Sequence, residues 1–366
     1  MRVPVISYDG KPLMPTKSSR ARRWIKEGKA IGKWSKLNVF YVQLLKPASD
    51  NKLQDVVVGI DPGKMFTGIA VLSQKETLLT AHVELPFKNV TKRMVQRSMM
   101  RRGRRGRRIN RKLPFDKRSH RQNRFNNRRQ EGMPPSVKAS KNLELRLLRL
   151  IVDLYPVSHV VYEVVKAKGN KGFSPVMVGQ KLICKKLSSA TKLFNFTTRE
   201  GYETSVTRKH LRLEKEKGNK SLQIPQTHAV DGIALAATHW LKYTAIDKNS
   251  MGSKGELTLT DSIFLIVSRP PISRRQLHLM VPSKGGKRRK YGGTVTQHGY
   301  RKGDYVEATK ADKTYRGWVS GDTKTQVSIS DANWKRLGQF TSKKVNLIKR
   351  STGLIVTSQK YKVHGG

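Results

Sequence analysis

The chain has 366 residues, with 75 Lys and Arg against 25 Asp and Glu, a formal net charge of +50. That excess is far more than steering a small substrate requires, and nucleic acid is its natural counter-charge, whether in an enzyme or equally in a ribosomal or chromatin protein. A single cysteine, Cys184, excludes intrachain disulfides and Cys-rich zinc folds, and no stretch reaches the roughly 20 apolar residues of a membrane helix.

The opening MRVPVISYDGKPLMP lacks the apolar segment of a secretory signal, and residues 1–52 read as a small module. Val3 to Ile6 is a strand, followed by Asp9-Gly10 and a turn-forming Pro12-Leu13-Met14-Pro15. Thr16 or Ser18 offers an N-cap for a basic helix carrying Trp24, Ile25 and Glu27, closed by Gly28; Leu37 to Leu45 is a strand. Residues 53–90 hold three successive strands, Val56–Asp61, Thr67–Leu72 and Thr77–Leu85, the first two joined by a Pro62-Gly63 turn.

Residues 91–130 carry seventeen Lys and Arg and one acid, Asp116. Arg93, Arg97, Arg101, Arg104, Arg105, Arg108 and Arg111 recur mostly at spacings of three or four, so they line one broad helical face, and the Arg fork suits phosphate. Gly103 and Gly106 weaken that helix, and a basic arm that folds only on RNA is the other reading.

In residues 131–170, Leu143, Leu147, Leu150, Ile151 and Leu154 fall at helical spacing before Pro156, and His159–Val164 is a strand. A connecting segment, 171–225, has a helix near 175–190; residues 226–245 contain an apolar helix from His228 to Leu241. The order of elements predicts an α/β layer fold with a mixed sheet. From 246 to 366, a polar linker, KNSMGSKGELT, precedes short strands (Ser262–Ser268, Asp304–Ala308, Thr314–Val319, Gln326–Ser330, Val345–Ile348, Leu354–Thr357) that read as one barrel-like module. Its Trp318 and Trp334 are expected in the barrel core rather than as base-stacking platforms.

Asp61 ends the apolar run VVVGID and Glu163 ends SHVVYE. An acid closing an apolar strand is costly to bury unless it is paired or binds metal, and neighbouring strands bring two such acids to one sheet edge. His228 and Asp231, three apart, share one helical face. Three hard carboxylates suit Mg²⁺, or Mn²⁺, and two ions about 4 Å apart serve phosphodiester hydrolysis, with His228 orienting or deprotonating water. Each residue also has a plainer reading: Asp61 as a turn former, Glu163 in an ion pair with Lys, His228 at a helix start, Asp231 as a helix-dipole partner.

GIDPG, VVYE and HAVDGIALA resemble the three split motifs of the RuvC-type nuclease domain, which has the RNase H fold. The Arg-rich insertion resembles the bridge helix of transposon-encoded RNA-guided nucleases, and GKPLMP resembles the PLMP module of the IscB and IsrB families. GYETSVTRKHLRLEKEKGNKS and YRGWVSG…SDANWKRLGQF are also similar to these families. Residues 164–227 contain one histidine, His210, in what reads as an exposed basic helix or turn, so they cannot build an HNH site; the chain resembles IsrB, the form without HNH. Lacking paired CxxC motifs, it does not resemble the TnpB-type branch.

The resemblance implies an RNase H-like (RuvC-type) split domain in parts 53–90, 131–170 and 226–245, a PLMP module (1–52), a bridge helix (91–130), a connector (171–225) in place of HNH and a C-terminal module (246–366). It implies catalytic Asp61, Glu163, His228 and Asp231, with metal on the three acids, and RNA on the seven arginines. It further implies a monomeric ribonucleoprotein with an omega-type guide RNA, acting in a prokaryotic cytoplasm. The activity would be nicking of the non-target strand of double-stranded DNA beside a flanking motif. Arg316, Asn333, Lys335, Arg336 and Gln339 are candidate readers of that motif, since Arg and Asn or Gln pair with guanine and adenine edges. A non-catalytic nucleic-acid-binding protein on the same fold, or an unguided resolvase or RNase H, remain alternatives. One departure is Gly232, where the relatives usually have Ala; little effect is expected from it.

Overall fold

The computed structural model describes residues 1–47, 52–86, 133–166, 175–190, 192–247, 250–271 and 295–362, with positions scattered between 90 and 117. It contains two compact units. The first comprises Met1–Leu85, Ala139–Pro270 and Ser351–Gly366, and the second Pro86–Lys138 and Pro271–Arg350.

In the first unit, β1 (Arg2–Ile6), β2 (Pro12–Lys17), α1 (Ser18–Lys26), β3 (Ala30–Trp34) and β4 (Phe40–Leu44) form a small sheet of order β2-β1-β4-β3. PLMP is therefore strand rather than turn: Ile6 faces Pro12 and Val5 faces Leu13. Proline is tolerated because β2 is an edge strand, where a missing N–H costs no ladder bond. The turn is made by Asp9-Gly10, with Gly10 at φ +85°. Neither Thr16 nor Ser18 caps α1, whose N-cap is Lys17 without a side-chain bond. β3 escaped the sequence pattern because only Ala30 in it is buried. Leu37 and Val39 leave this module to join the main core.

That core is built on β5 (Val56–Pro62), β6 (Phe66–Ser73), β7 (Glu76–Glu84), α2 (Pro135–Val152), β8 (His159–Val164), α3 (Pro175–Ser188), β9 (Asn195–Glu200), α4 (Gly201–His210) and α5 (Pro225–Ala237). β6 runs antiparallel to β5 and β7, while β8 and β9 run parallel to β5, in the order β7-β6-β5-β8-β9. This is an RNase H-like α/β arrangement.

Strand alternation assigns the faces. Val56, Val58 and Ile60 pack with Leu143, Leu147 and Ile151 of α2, whereas Val57 and Val161 pack with Ala229, Ile233 and Ala236 of α5. By the same parity Asp61 and Glu163 share the α5 face. α5 starts with Pro225 at its first turn and is buried almost all round, from Ala229 to Ala237. Each fully buried Ile or Leu there contributes about 2 kcal/mol.

The helix sits so close that its backbone replaces side chains. A Cβ on Gly68 would lie 1.9 Å from the His228 carbonyl oxygen, and one on Gly59 2.1 Å from that of Gly232. A Cβ on Gly232 would meet the Ala70 amide nitrogen at 2.9 Å and the Ile69 carbonyl carbon at 3.0 Å. The expectation that Gly232 matters little is thus corrected: here it sets the distance between helix and sheet.

Three further elements depart from the expected C-terminal module. The polar linker is in part a hairpin of β10 (Lys242–Asp247) and β11 (Ser250–Lys254). β12 (Ser262–Ser268) pairs parallel with β7. The last strand, Ile355–Tyr361, pairs antiparallel with β12 and closes the seven-stranded sheet. Ser262–Ser268 and Leu354–Thr357 look like barrel strands in the sequence because short apolar runs carry no information about which sheet they join.

The second unit contains β13 (Tyr305–Lys310), β14 (Lys313–Asp322), β15 (Gln326–Ser330), β16 (Arg336–Thr341) and β17 (Val345–Lys349); with these numbered, Ile355–Tyr361 is β18. The five strands form an antiparallel sheet around Val306, Ala308, Val319, Val327, Ile329, Phe340 and Val345. Neither tryptophan belongs to that core, contrary to expectation. Trp318 alternates with buried Gly317 and Val319 and meets Tyr305 ring to ring at 5.0 Å on the other face; Trp334, at φ +66°, lies under Lys302 at 5.4 Å.

Among the described residues, no helix is long and apolar enough to cross a membrane.

Candidate active site

The site lies where the C-terminal ends of β5 and β8 meet the first turns of α5. Ile60 and Tyr162 are the last registered pair of the parallel β5–β8 ladder, and Asp61 and Glu163 each follow by one residue. Asp231 is only 2% exposed, two turns into α5, so its charge must be compensated. It is: Arg208 Nη1 donates to Oδ1 at 2.6 Å and the Lys215 ammonium to Oδ2. Glu163 accepts from the Thr204 hydroxyl at 2.7 Å.

The three acids feel one another. Burial, then Glu163 and then Asp231, push the Asp61 carboxyl well above the usual carboxylate range. Burial also raises Glu163, Thr204 opposes this by its hydrogen bond, and Asp231 adds to it. Like charges gathered in a largely buried cluster destabilise one another and are relieved by a cation. Two cationic side chains already stand on Asp231 and relieve that acid. The donor set is all carboxylate oxygen, so the residues fit Mg²⁺ or Mn²⁺.

His228 lies in the first turn of the same helix. Its Nε2–H donates to the Lys220 carbonyl at 3.0 Å, which leaves Nδ1 with a free lone pair in the neutral ring. Burial lowers its pKa below the ordinary 6.5, and the nearby Lys215 acts in the same direction. The ring packs against Phe66 at 5.2 Å and His82 at 5.1 Å. His82 is buried, has its pKa lowered to about 4 by burial and the neighbouring His228, and bonds Thr227 through Nδ1 at 3.2 Å.

Beneath the site, on the opposite sheet face, lies a buried ion pair. Lys141 Nζ donates to both oxygens of Glu144 at 3.0 and 2.9 Å and to the Tyr162 hydroxyl at 3.0 Å; Thr67 donates to Glu144 at 2.8 Å. Burial raises the Glu144 pKa, with Lys141 opposing, and its charge reaches Asp61.

The structure therefore brings Asp61, Glu163 and Asp231 into one electrostatic cluster with His228 on the same helix. Sequence reasoning missed Thr204, and it missed Arg208 and Lys215, which fall in the run expected as an exposed basic helix or turn; Arg208 is only 12% exposed. Two buried acids in sequence demand local cations, and GYETSVTRKHLRLEKEK supplies them. It also missed Lys141 and Glu144, whose i, i+3 spacing inside an apolar helix was the available signal.

The other expected residues lie elsewhere. Arg97 is helical and exposed, whereas Arg93, Arg101, Arg104, Arg105, Arg108 and Arg111 lie outside the described residues. Arg316 is on the outer face of β14, bonded to Glu307 at 2.6 Å. Asn333 and Lys335 lie in the turn before β16, where the Lys335 amide donates to Asp331. Arg336 opens β16 exposed, and Gln339 donates to the Ser328 hydroxyl at 3.3 Å.

At the far end of β5, β8 and α5 sits another cluster. Asp55, His159 and His239 each present a ligand atom within 4.8 Å of the others.

A family model described as "RRXRR protein" matches residues 3–223. Among solved structures, the chain is similar to Thermus thermophilus RuvC in complex with a Holliday junction substrate, at 13% identity and a TM-score of 0.28, covering 51% of this chain and 92% of that one. Another T. thermophilus RuvC structure aligns at 14% identity and a TM-score of 0.26, over 50% and 92% of the respective chains. No curated protein matches.

Proposed function

We propose, from the premise that this chain belongs to the RRXRR family, that it is an RNA-guided DNA endonuclease that nicks the non-target strand of double-stranded DNA. The family is associated with IscB/IsrB-type proteins, the resemblance that the motifs GIDPG, VVYE and HAVDGIALA carry. The observation that supports the chemistry best is the carboxyl cluster of Asp61, Glu163 and Asp231, with two of its members pushed up in pKa, in a chain of net charge +50.

Asp61, Glu163 and Asp231 would hold Mg²⁺, or Mn²⁺, in up to two positions; when bound, such ions stabilise the attacking and leaving oxygens of a phosphodiester. His228, neutral near pH 7, takes the proton of the attacking water at Nδ1 while Lys220 fixes its ring. Arg208 and Lys215 neutralise Asp231 in the resting site and pair with backbone phosphates when DNA enters. Thr204 holds the Glu163 carboxylate in orientation.

The remaining parts follow the same reading. Residues 1–52 act as the PLMP module and 91–130 as the arginine helix gripping an omega-type guide RNA, with Arg93, Arg97, Arg101, Arg104, Arg105, Arg108 and Arg111 on phosphates. In the five-stranded sheet of the second unit and the turn before its β16, Arg316, Asn333, Lys335, Arg336 and Gln339 read the target-adjacent motif. Such a particle works as a monomeric ribonucleoprotein in a prokaryotic cytoplasm.

The test is to sequence RNA that co-purifies with the protein. A single structured species encoded beside the gene supports the reading; a random population bound to the basic surface overturns it.

A further inference from the structure

The three elements that carry the acids also carry a second set of donors at their other ends. Asp55 immediately precedes β5, His159 opens β8 and His239 lies just past α5. Parity puts Asp55 and His159 on the same sheet face as Asp61 and Glu163. Six residues of strand separate Asp55 from Asp61, roughly 20 Å.

The three donors are close enough together to share one ligand. His239 Nε2 is 3.3 Å from Asp55 Oδ2 and His159 Nδ1 is 3.8 Å from Oδ1, while the two imidazole centroids are 4.1 Å apart. Donors bound to one tetrahedral ion at about 2.0–2.2 Å lie about 3.3–3.6 Å from each other. His239 Nε2–H donates a hydrogen bond to Asp55, whereas the 3.8 Å separation of His159 is beyond one, so a cation between the three donors would bind the ring that the carboxylate does not now hold.

The surroundings also suit a ligating histidine. His159 Nε2 lies 3.2 Å from the Asn195 amide, on the adjacent strand β9. With Nδ1 on a metal, Nε2 must carry the proton; Asn195 now turns its Nδ2 toward that atom, and a 180° flip of its amide would bring the carbonyl into position to accept, as outer partners of metal-bound imidazoles do. The Ser158 hydroxyl, 2.9 Å from His159 Nδ1, is the present partner that a metal would displace. The main chain underneath is stitched by Ser158 N–H to Val56 O and Asn195 N–H to Ser158 O, both within 2.9 Å, so the ligands project from a fixed frame.

We infer that Asp55, His159 and His239 form a second metal site, selective for a borderline divalent ion such as Zn²⁺ and distinct from the carboxylate cluster at the opposite end. Two imidazoles and one carboxylate favour Zn²⁺ over Mg²⁺, which prefers an all-oxygen shell. Asp55 is half-exposed, so water completes the coordination. The ion ties together the start of β5, the start of β8 and the end of α5, the same three elements whose other ends hold the acids.

The test is calorimetric titration of ZnCl₂ into the full chain in buffer saturated with Mg²⁺. The expected result is one Zn²⁺ per chain, with affinity falling at least roughly tenfold in Asp55→Asn and in His239→Ala, and by about tenfold in Asn195→Ala. Asp55→Asn is isosteric and at the surface, so it keeps the fold; there, Zn²⁺ should no longer raise the melting temperature as it does in the wild type. The inference is overturned if the wild type takes up no Zn²⁺, if Mg²⁺ displaces it, or if both ligand variants bind it as tightly as the wild type.

Discussion

The two ends of the β5–β8–α5 frame share a backbone and differ only in donors. One end gathers Asp61, Glu163 and Asp231, crowds their charges and calls in Arg208 and Lys215 as counter-ions. The other gathers two imidazoles and one carboxylate, with no strong cation beside them among the contacts described. A parallel strand pair with a helix across it thus makes two cation sites of different hardness. Which ion each prefers is decided by a few side chains at strand ends, not by the fold.

The largest effect should come from Asp61→Asn. Removing one carboxylate costs several kcal/mol of transition-state stabilisation, on the order of a thousandfold in cleavage rate. Zinc uptake at the opposite end should stay intact. Loss of both together would mean that the ends are not independent.

Breaking the buried pair comes next. Lys141→Ala leaves the Glu144 charge buried beside Asp61 and should cost about 4 kcal/mol in chemical denaturation, with most of it restored in the Lys141→Met/Glu144→Leu double variant. If Lys141→Ala is neutral, the pair does not underpin the acid end.

Gly68→Ala attacks what the two ends share. Its Cβ would meet the His228 carbonyl at 1.9 Å, lifting α5 from the sheet at a cost of about 2–3 kcal/mol, and Gly232→Ala should cost somewhat less. Thermal melts measure both. Equal loss of magnesium and zinc affinity would sharpen the picture of one rigid frame.

The smallest effects concern pH. The raised Asp61 pKa means that the folded state holds its proton over a window above the ordinary carboxylate value where the unfolded chain has lost it. Stability therefore falls as pH rises through that window. Asp61→Asn should accordingly melt higher than the wild type without divalent ions, more so at pH 8 than at pH 5. His82 works the other way: with its pKa lowered to about 4, its contribution is present above 6.5 and is lost as pH falls from 6.5 toward 4. In kinetics, the base His228 and the acids Asp61 and Glu163 must all be deprotonated, so cleavage falls toward acid pH, and raising Mg²⁺ should move that limb lower.

Strand parity and helix spacing made much of this frame legible. VVVGID, SHVVYE and HAVDGIALA each announce an apolar element with an acid at a definable place, and the structure sets those places on one face. What the sequence hid is non-local. The strands Ser262–Ser268 and Ile355–Tyr361 look like any short apolar run, and only pairing with β7 and with each other makes them part of the large sheet. Prolines in PLMP suggested a turn because an edge strand tolerates them without any local mark. Arg208 and Lys215 looked like solvated charges because nothing in a single sequence tells which of many cations folds inward. Asp55, His159 and His239 are far apart in the chain and meet only because β5, β8 and α5 align.

The most direct measurement is nicking of supercoiled plasmid by the purified ribonucleoprotein in Mg²⁺, with the cut mapped to a strand. The account predicts one nick in the non-target strand of matched DNA, none without the guide RNA, and none in Asp61→Ala. Matched DNA that is bound yet stays uncut in Mg²⁺, or cleavage that survives Asp61→Ala, would contradict it.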